Sequence, residues 1–233
     1  MPNAGAMQPL VYQPPATDPL PVLFADDSLL VMDKPAGLLS VPGRLEEHRD
    51  SLLTRCLVDF PDVQVVHRLD LATSGVLVLA RGLEANRALS RQFQQRSVAK
   101  TYTAVVEGRP AAAQGEVDLP LICDWPNRPR QIVDFEVGKP SQTRWFRMDD
   151  GEGWPGDWPG IDSTRLRLEP ITGRSHQLRV HMAEIGHAIL GDGFYATPAG
   201  HAAAPRLLLH ASRLSLHHPV SGDPLTFEAP CPF

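Results

Sequence analysis

Apolar runs of strand length, scattered without regular alternation with helices, constrain this chain most. They fall at Leu29 to Met32, Val63 to Val66, Gly75 to Ala80, Lys100 to Glu107, Ile132 to Val137, Gln142 to Met148, Thr164 to Leu168, Leu207 to Leu216 and Leu225 to Phe227. Helical periodicity is confined to Ser51 to Phe60 behind an Asp50 cap, the amphipathic stretch Leu83 to Gln95, and Ser175 to Ile185, closed by Gly186. Strands that outnumber helices and do not alternate with them argue against a doubly wound parallel sheet. They predict an α+β domain with a central mixed, largely antiparallel sheet flanked by helices and loops. With 233 residues, 42% of them hydrophobic, the chain can bury one sizeable core.

Residues 1–20, rich in Pro, Ala and Gln, lack periodicity and are expected to form a flexible tail, leaving residues 21–233 as one domain. The Gly-Trp-Pro-Gly-Asp-Trp-Pro-Gly run within Asp149 to Ser163 cannot extend either neighbouring strand and predicts a long surface hairpin connection. Its Trp154 and Trp158 are expected to pack the loop against the domain, with base stacking as the alternative. Cys56, Cys123 and Cys231 are far apart and show no Cys-x-x-Cys spacing, so they read as reduced thiols. No stretch approaches the roughly eighteen apolar residues that span a bilayer. A soluble, cytoplasmic protein is expected.

The formal net charge of −5 argues against coating nucleic acid through bulk positive charge. A local basic groove stays open, because Arg81, Arg87, Arg91, Arg96, Lys100, Arg109, Arg128, Arg130, Lys139 and Arg144 cluster in mid-chain. Three segments carry chemistry in order. His67-Arg68-Leu69-Asp70 sits in a turn between two apolar runs, Lys100-Thr101-Tyr102 follows, and Gly173-Arg174-Ser175-His176-Gln177-Leu178-Arg179-Val180-His181 comes last. Taken singly, each has a plainer reading: Asp70 as a turn former, Tyr102 as core, Arg174 as a surface ion pair. His176 and His181 are five apart, no His-Glu-x-x-His occurs, and no metal site is expected. No phosphate-binding loop, nucleophile elbow or dinucleotide fingerprint is found.

Together these motifs resemble those of RNA pseudouridine synthases of the RluA type, over nearly the whole chain from about Leu20. Ser40-Val41-Pro42-Gly43-Arg44, Leu121 to Pro129 and Pro170 to Arg174 resemble the branch of that family that modifies two RNA classes. The resemblance implies a central mixed sheet whose cleft holds the active site. It implies that Asp70 is the catalytic carboxylate and that Tyr102 stacks on the target base. It further implies that Arg174 lies near Asp70 and holds it deprotonated, and that Arg68 enters the RNA in place of the extruded base or grips a phosphate. His67 is expected to orient the turn. Cys123 to Arg130, with Trp125, Arg128 and Arg130, reads as an RNA-gripping loop or a proline-stiffened connection.

Isomerising uridine needs no redox change and loses no group, so no cofactor and no metal are expected. The implied partners are structured RNAs, the tRNA anticodon stem-loop (uridine 32) and a hairpin of large-subunit (23S) rRNA (uridine 746). A monomer is expected, with no membrane or protein partner and no separate N-terminal RNA-binding module. A synthase acting on one RNA class, an inactive RNA chaperone, and a metal-dependent RNA hydrolase are the alternatives.

Overall fold

A computed structural model describes residues 11–17, 19–148, 158 and 160–233. Its strands and helices run β1 (Val22–Ala25), β2 (Leu29–Lys34), α1 (Leu52–Asp59), β3 (Val63–Val65), β4 (Ser74–Arg81), α2 (Gly82–Gln94), β5 (Ala99–Glu107) and β6 (Gln114–Asp118). They continue with β7 (Leu121–Cys123), β8 (Gln131–Val133), β9 (Gln142–Arg147), β10 (Ser163–Pro170), α3 (Gln177–Glu184), α4 (Pro198–Ala203), β11 (Leu209–His217) and β12 (Pro224–Glu228). The main sheet has the order β1-β2-β4-β11-β5-β10-β9-β6, with β3 added on β4 and β12 on β11. Among the described residues only β4 and β11 pair in parallel; the remaining pairs are antiparallel, which makes this the mixed, largely antiparallel sheet expected of an α+β domain. Strands β7 and β8 form a separate hairpin.

Strand β4 shows how sequence becomes layer. Val76 to Ala80 are at most 1% exposed, because both faces of the strand are covered. Alternation sends Val76, Val78 and Ala80 towards Ala85 and Leu89 of α2, and Leu77 and Leu79 towards Leu52 and Cys56 of α1. A further apolar cluster joins β5, β10 and α3 through Ala104, Val106, Leu166, Leu168, Leu178 and Met182. Among the described residues, no helix is long and apolar enough to cross a membrane.

Several boundaries shift for local reasons. Ser51, not Asp50, caps α1: its Oγ accepts the Thr54 N–H at 3.2 Å while the Thr54 hydroxyl accepts the Ser51 N–H at 2.8 Å. Asp50 is occupied with Arg55, at 2.7 and 2.8 Å. The run Ile132 to Val137 stops as a strand at Val133, because the Asp134 carboxylate accepts the N–H groups of Glu136 and Val137 and closes a turn. Helix α3 begins at Gln177, since His176 is left-handed at φ 53°.

Residues 11–17 carry no regular structure but are tied to the domain. The Tyr12 hydroxyl donates to the Asp50 carbonyl, and Arg55 donates to the carbonyls of Pro15 and Thr17. Residues 149–157 of the Pro/Gly-rich connection, with Trp154, lie outside the described residues. The strands this connection joins, β9 and β10, pair antiparallel as a hairpin requires. Trp158 packs on the domain and donates its indole N–H to the Ala203 carbonyl at 2.8 Å.

Gly75 sets the spacing of the parallel pair. It adopts φ 109°, and a Cβ there would overlap the Ala211 carbonyl of β11. Gly75→Ala should therefore cost about 3 kcal/mol or more, by strain plus a forced separation of β4 from β11. Urea unfolding checks this, and a loss below 1 kcal/mol would show that the sheet yields easily there.

Candidate active site

The turn between β3 and β4 is held at every second residue. The His67 ring accepts the Val78 N–H at 2.9 Å and stacks on Phe93, with centroids 4.6 Å apart. The Ser40 hydroxyl donates to the Leu69 carbonyl and accepts the Leu69 N–H, at 2.7 and 3.1 Å. The Leu71 carbonyl accepts from the Gly37 N–H and from Nζ of Lys34, at 2.8 and 3.3 Å. With 67, 69 and 71 anchored, the turn is fixed along the wall of the cleft, which Arg68 and Asp70 line. Lys34 is fully buried, donates also to the Pro35 and Leu38 carbonyls, and is drawn down to about 7 by burial against the pull of Asp70.

Arg179 and His176 face Asp70 across the cleft. Arg179 Nη1 lies 3.5 Å from Asp70 Oδ2, and His176 Nε2 lies 3.9 Å from the same oxygen. Arg179 is fixed from behind by Asp192, two hydrogen bonds of 2.7 Å forming a bidentate buried pair, and its guanidinium sits 5.2 Å from the ring centroids of both Phe194 and Tyr195. The expected neighbour of Asp70, Arg174, is not the cation the fold brings there. It precedes α3 and lies exposed at the rim of the cleft, its Nε 3.4 Å from the Pro140 carbonyl. The left-handed residue at 176 turns the chain between the two arginines, so spacing alone cannot choose between them.

The rest of the motif is scaffold. Gln177 bonds Thr172, Arg174 N–H, Gln142 and Thr143, and His181 uses both ring nitrogens on Thr143 and the Leu119 carbonyl. Tyr102, half-buried on β5, lines the cleft beside Asp70. Burial first and Asp70 second raise its phenol well above the usual range. Arg68 is exposed, with no partner among the described residues.

The cleft encloses about 710 Å³. Arg68, Arg96, Lys100, Arg174 and Arg179 line it against one carboxylate, Asp70, a strongly positive site on a protein of net charge −5. The β7–β8 hairpin carries Trp125, 69% exposed, with the Arg128 guanidinium 4.0 Å above its ring. Arg81 and Arg144 of the mid-chain basic cluster are instead spent on Asp62 and Glu116. Asp192 and Tyr195, which hold Arg179 and His176, sit in an irregular loop, where periodicity gives no signal.

A family model described as RNA pseudouridylate synthase matches residues 28–184, and the chain belongs to that family. The dual-specificity RNA pseudouridine synthase RluA of Escherichia coli K12 is 54% identical over 222 residues, covering 95% of this chain and 98% of the relative. The enzyme of the same name from Yersinia pestis is 53% identical over 215 residues, covering 91% and 99%. Of solved structures, human RNA pseudouridylate synthase domain containing 1 superposes with a TM-score of 0.78 at 27% identity, over 95% of this chain and 87% of that one. Domain containing 4 shares the fold, with a TM-score of 0.71 at 24% identity, over 91% and 88%.

Two outcomes follow from these contacts. Burial, with Lys100 adding to it, lowers His67 to about 3, so the neutral ring stabilises the fold fully above the ordinary histidine value of about 6.5 and that contribution fades as pH falls towards 3. The stability advantage of wild type over His67→Gln should narrow by about 3 kcal/mol between pH 7 and pH 4. Urea titrations at both pH values decide, and a constant difference would refute a neutral His67. Asp192→Asn should cost about 3 kcal/mol, because it leaves a buried guanidinium short of its bidentate partner. Thermal and urea unfolding measure that loss.

Proposed function

We propose that the protein isomerises specific uridines of structured RNA to pseudouridine, with Asp70 as the reacting carboxylate. The observation that carries this is Asp70 itself, a lone carboxylate 31% exposed in a cleft of five cations, with its backbone pinned on both sides. The reaction breaks the N1–C1′ bond, turns the uracil and rejoins it through C5, so it calls for a positioned acid–base or nucleophilic group and a surface for the freed base. Tyr102 supplies an aromatic face beside Asp70 and a phenol that keeps its proton. Arg68, exposed and without a partner among the described residues, suits the space vacated by an extruded base or a backbone phosphate. Arg174, at the rim, serves as a phosphate contact, together with Arg96 and Lys100. Arg179, 3.5 Å from Asp70, stands in the role next to Asp70 that the family resemblance implied for Arg174.

The substrates we propose are the anticodon loop of tRNA and a hairpin of 23S rRNA, in line with relatives named dual-specificity synthases. Such loops offer splayed bases to a cleft of this kind. The protein would act as a cytoplasmic monomer without cofactor or metal.

Purified protein incubated with both unmodified transcripts in chelator, followed by nucleoside analysis, tests this. Wild type should form pseudouridine in both. Asp70→Asn should form none while binding RNA about as tightly, since the charge is lost at constant volume. Residual turnover in Asp70→Asn would remove Asp70 from the chemistry. Product in one transcript would narrow the substrate to a single RNA class. Tight binding without product would favour an RNA chaperone.

A further inference from the structure

His176 is a motif residue that the reading above leaves without a task, and its surroundings are built to give it one. With Arg96, it is one of two non-glycine residues at positive φ among those described, at φ 53° and ψ 14°. Left-handed backbone in a side-chain-bearing residue persists where the surroundings enforce it, and such residues gather at functional sites. Here the conformation turns the imidazole inward, stacked on Phe194 with centroids 5.6 Å apart and edge-on to Tyr195 at 5.7 Å. The side chain is only 9% exposed, and it lines the cleft.

The hydrogen bonds around Tyr195 favour one tautomer of His176. The Tyr195 phenolic oxygen accepts the N–H of Gln131 at 2.8 Å and lies 2.7 Å from His176 Nδ1. Burial pushes the Tyr195 phenol up to about 12, so it retains its proton. Among the described residues, His176 Nδ1 is the acceptor within reach of that proton. With Tyr195 as the donor, Nδ1 accepts and the ring proton sits on Nε2. Burial favours the neutral ring, with Asp70 opposing it more weakly and Arg179 assisting. The resulting Nε2–H faces the Asp70 carboxylate from 3.9 Å, too far for a hydrogen bond. A buried donor beside the reacting carboxylate has its proton unspent.

We propose that His176 is a substrate-binding residue whose neutral Nε2–H donates to an oxygen of the target nucleotide beside Asp70, with Tyr195 as the positioning residue that sets its tautomer. The inference rests on the proposed isomerase reading and names one more contact of the same site. Because Tyr195 also receives the Gln131 N–H, the donor is referenced to the β7–β8 hairpin as well as to α3.

Single-turnover conversion of the two transcripts by wild type, His176→Asn, His176→Gln, Tyr195→Phe and Asp70→Asn tests this, with thermal unfolding of each variant. Asparagine accepts left-handed backbone well, so the fold should survive, and its amide reaches only the Nδ1 position. His176→Asn should be slowed about 100-fold, as when one preorganised donor is removed, with RNA affinity nearly unchanged. His176→Gln restores a donor near Nε2 and should recover to within about 10-fold of wild type. Tyr195→Phe should fall between them and lose the Nε2–H preference in nitrogen NMR of the imidazole, a shift that a merely structural role would not produce. His176→Asn turning over within about twofold of wild type while Asp70→Asn is inactive would overturn the inference alone, as would an Nδ1–H tautomer in wild type. Wild type that converts neither transcript would overturn the isomerase reading and this contact with it.

Discussion

A guanidinium held between two carboxylates organises the active cleft. Burying Arg179 costs several kcal/mol of hydration, which only well-formed partners offset. Asp192 provides them, meeting Nε and Nη2 at 2.7 Å each while its Oδ1 also accepts the N–H groups of Phe194 and Tyr195. That leaves Nη1 as the arm that reaches Asp70, at 3.5 Å. One carboxylate is consumed in fixing the cation and the other is left partly exposed in the cleft. The same four-residue loop aims Tyr195 at His176, so the positive charge and the neutral donor beside Asp70 share one support.

Presentation of Asp70 depends on alternation of a different kind. The 67–71 turn lies outside any strand and is held instead by hydrogen bonds at alternate residues. His67, Leu69 and Leu71 are anchored to β4, Ser40 and the Lys34–Gly37 turn respectively. Lys34 is a costly anchor, since burial draws its ammonium down to about 7, yet three carbonyls converge on it and no shorter side chain spans them. Gly75 then lets β4 run close against β11, the one parallel pair in the sheet. Both devices lie a few residues from Asp70 in sequence or in space, and both limit how far its loop can drift.

Legibility in the sequence follows the range of the interactions concerned. Strands β4 and β5 and helix α2 were readable because their periodicity is local, and Asp70 and Tyr102 were readable because they sit in compact motifs that the fold brings to one cleft. Arg179 was in view but was passed over for Arg174, since a left-handed His176 changes which arginine turns inward and nothing in the spacing announces it. Asp192 and Tyr195 had no signal at all. They lie in irregular chain and acquire meaning only from contacts with residues 13 and 19 positions earlier. The Asp50 cap was misassigned by one residue because Ser and Asp both cap helices, and Arg55 claimed the aspartate.

Net charge misleads for a related reason. The chain is acidic overall, yet the fold spends basic charge in surface pairs such as Arg81 with Asp62 and Arg213 with Glu228, and gathers five cations around the single carboxylate of the cleft, Asp70. A low-dielectric cleft lined by one sign of charge focuses the field at its mouth, whereas a uniformly basic surface would bind RNA anywhere. The β7–β8 hairpin near that mouth stacks Arg128 on Trp125 and sets Arg130 over Tyr195, at 4.0 and 5.4 Å. Tyr195 therefore contacts both Arg130 of the hairpin and His176 of the cleft, and ties the two together.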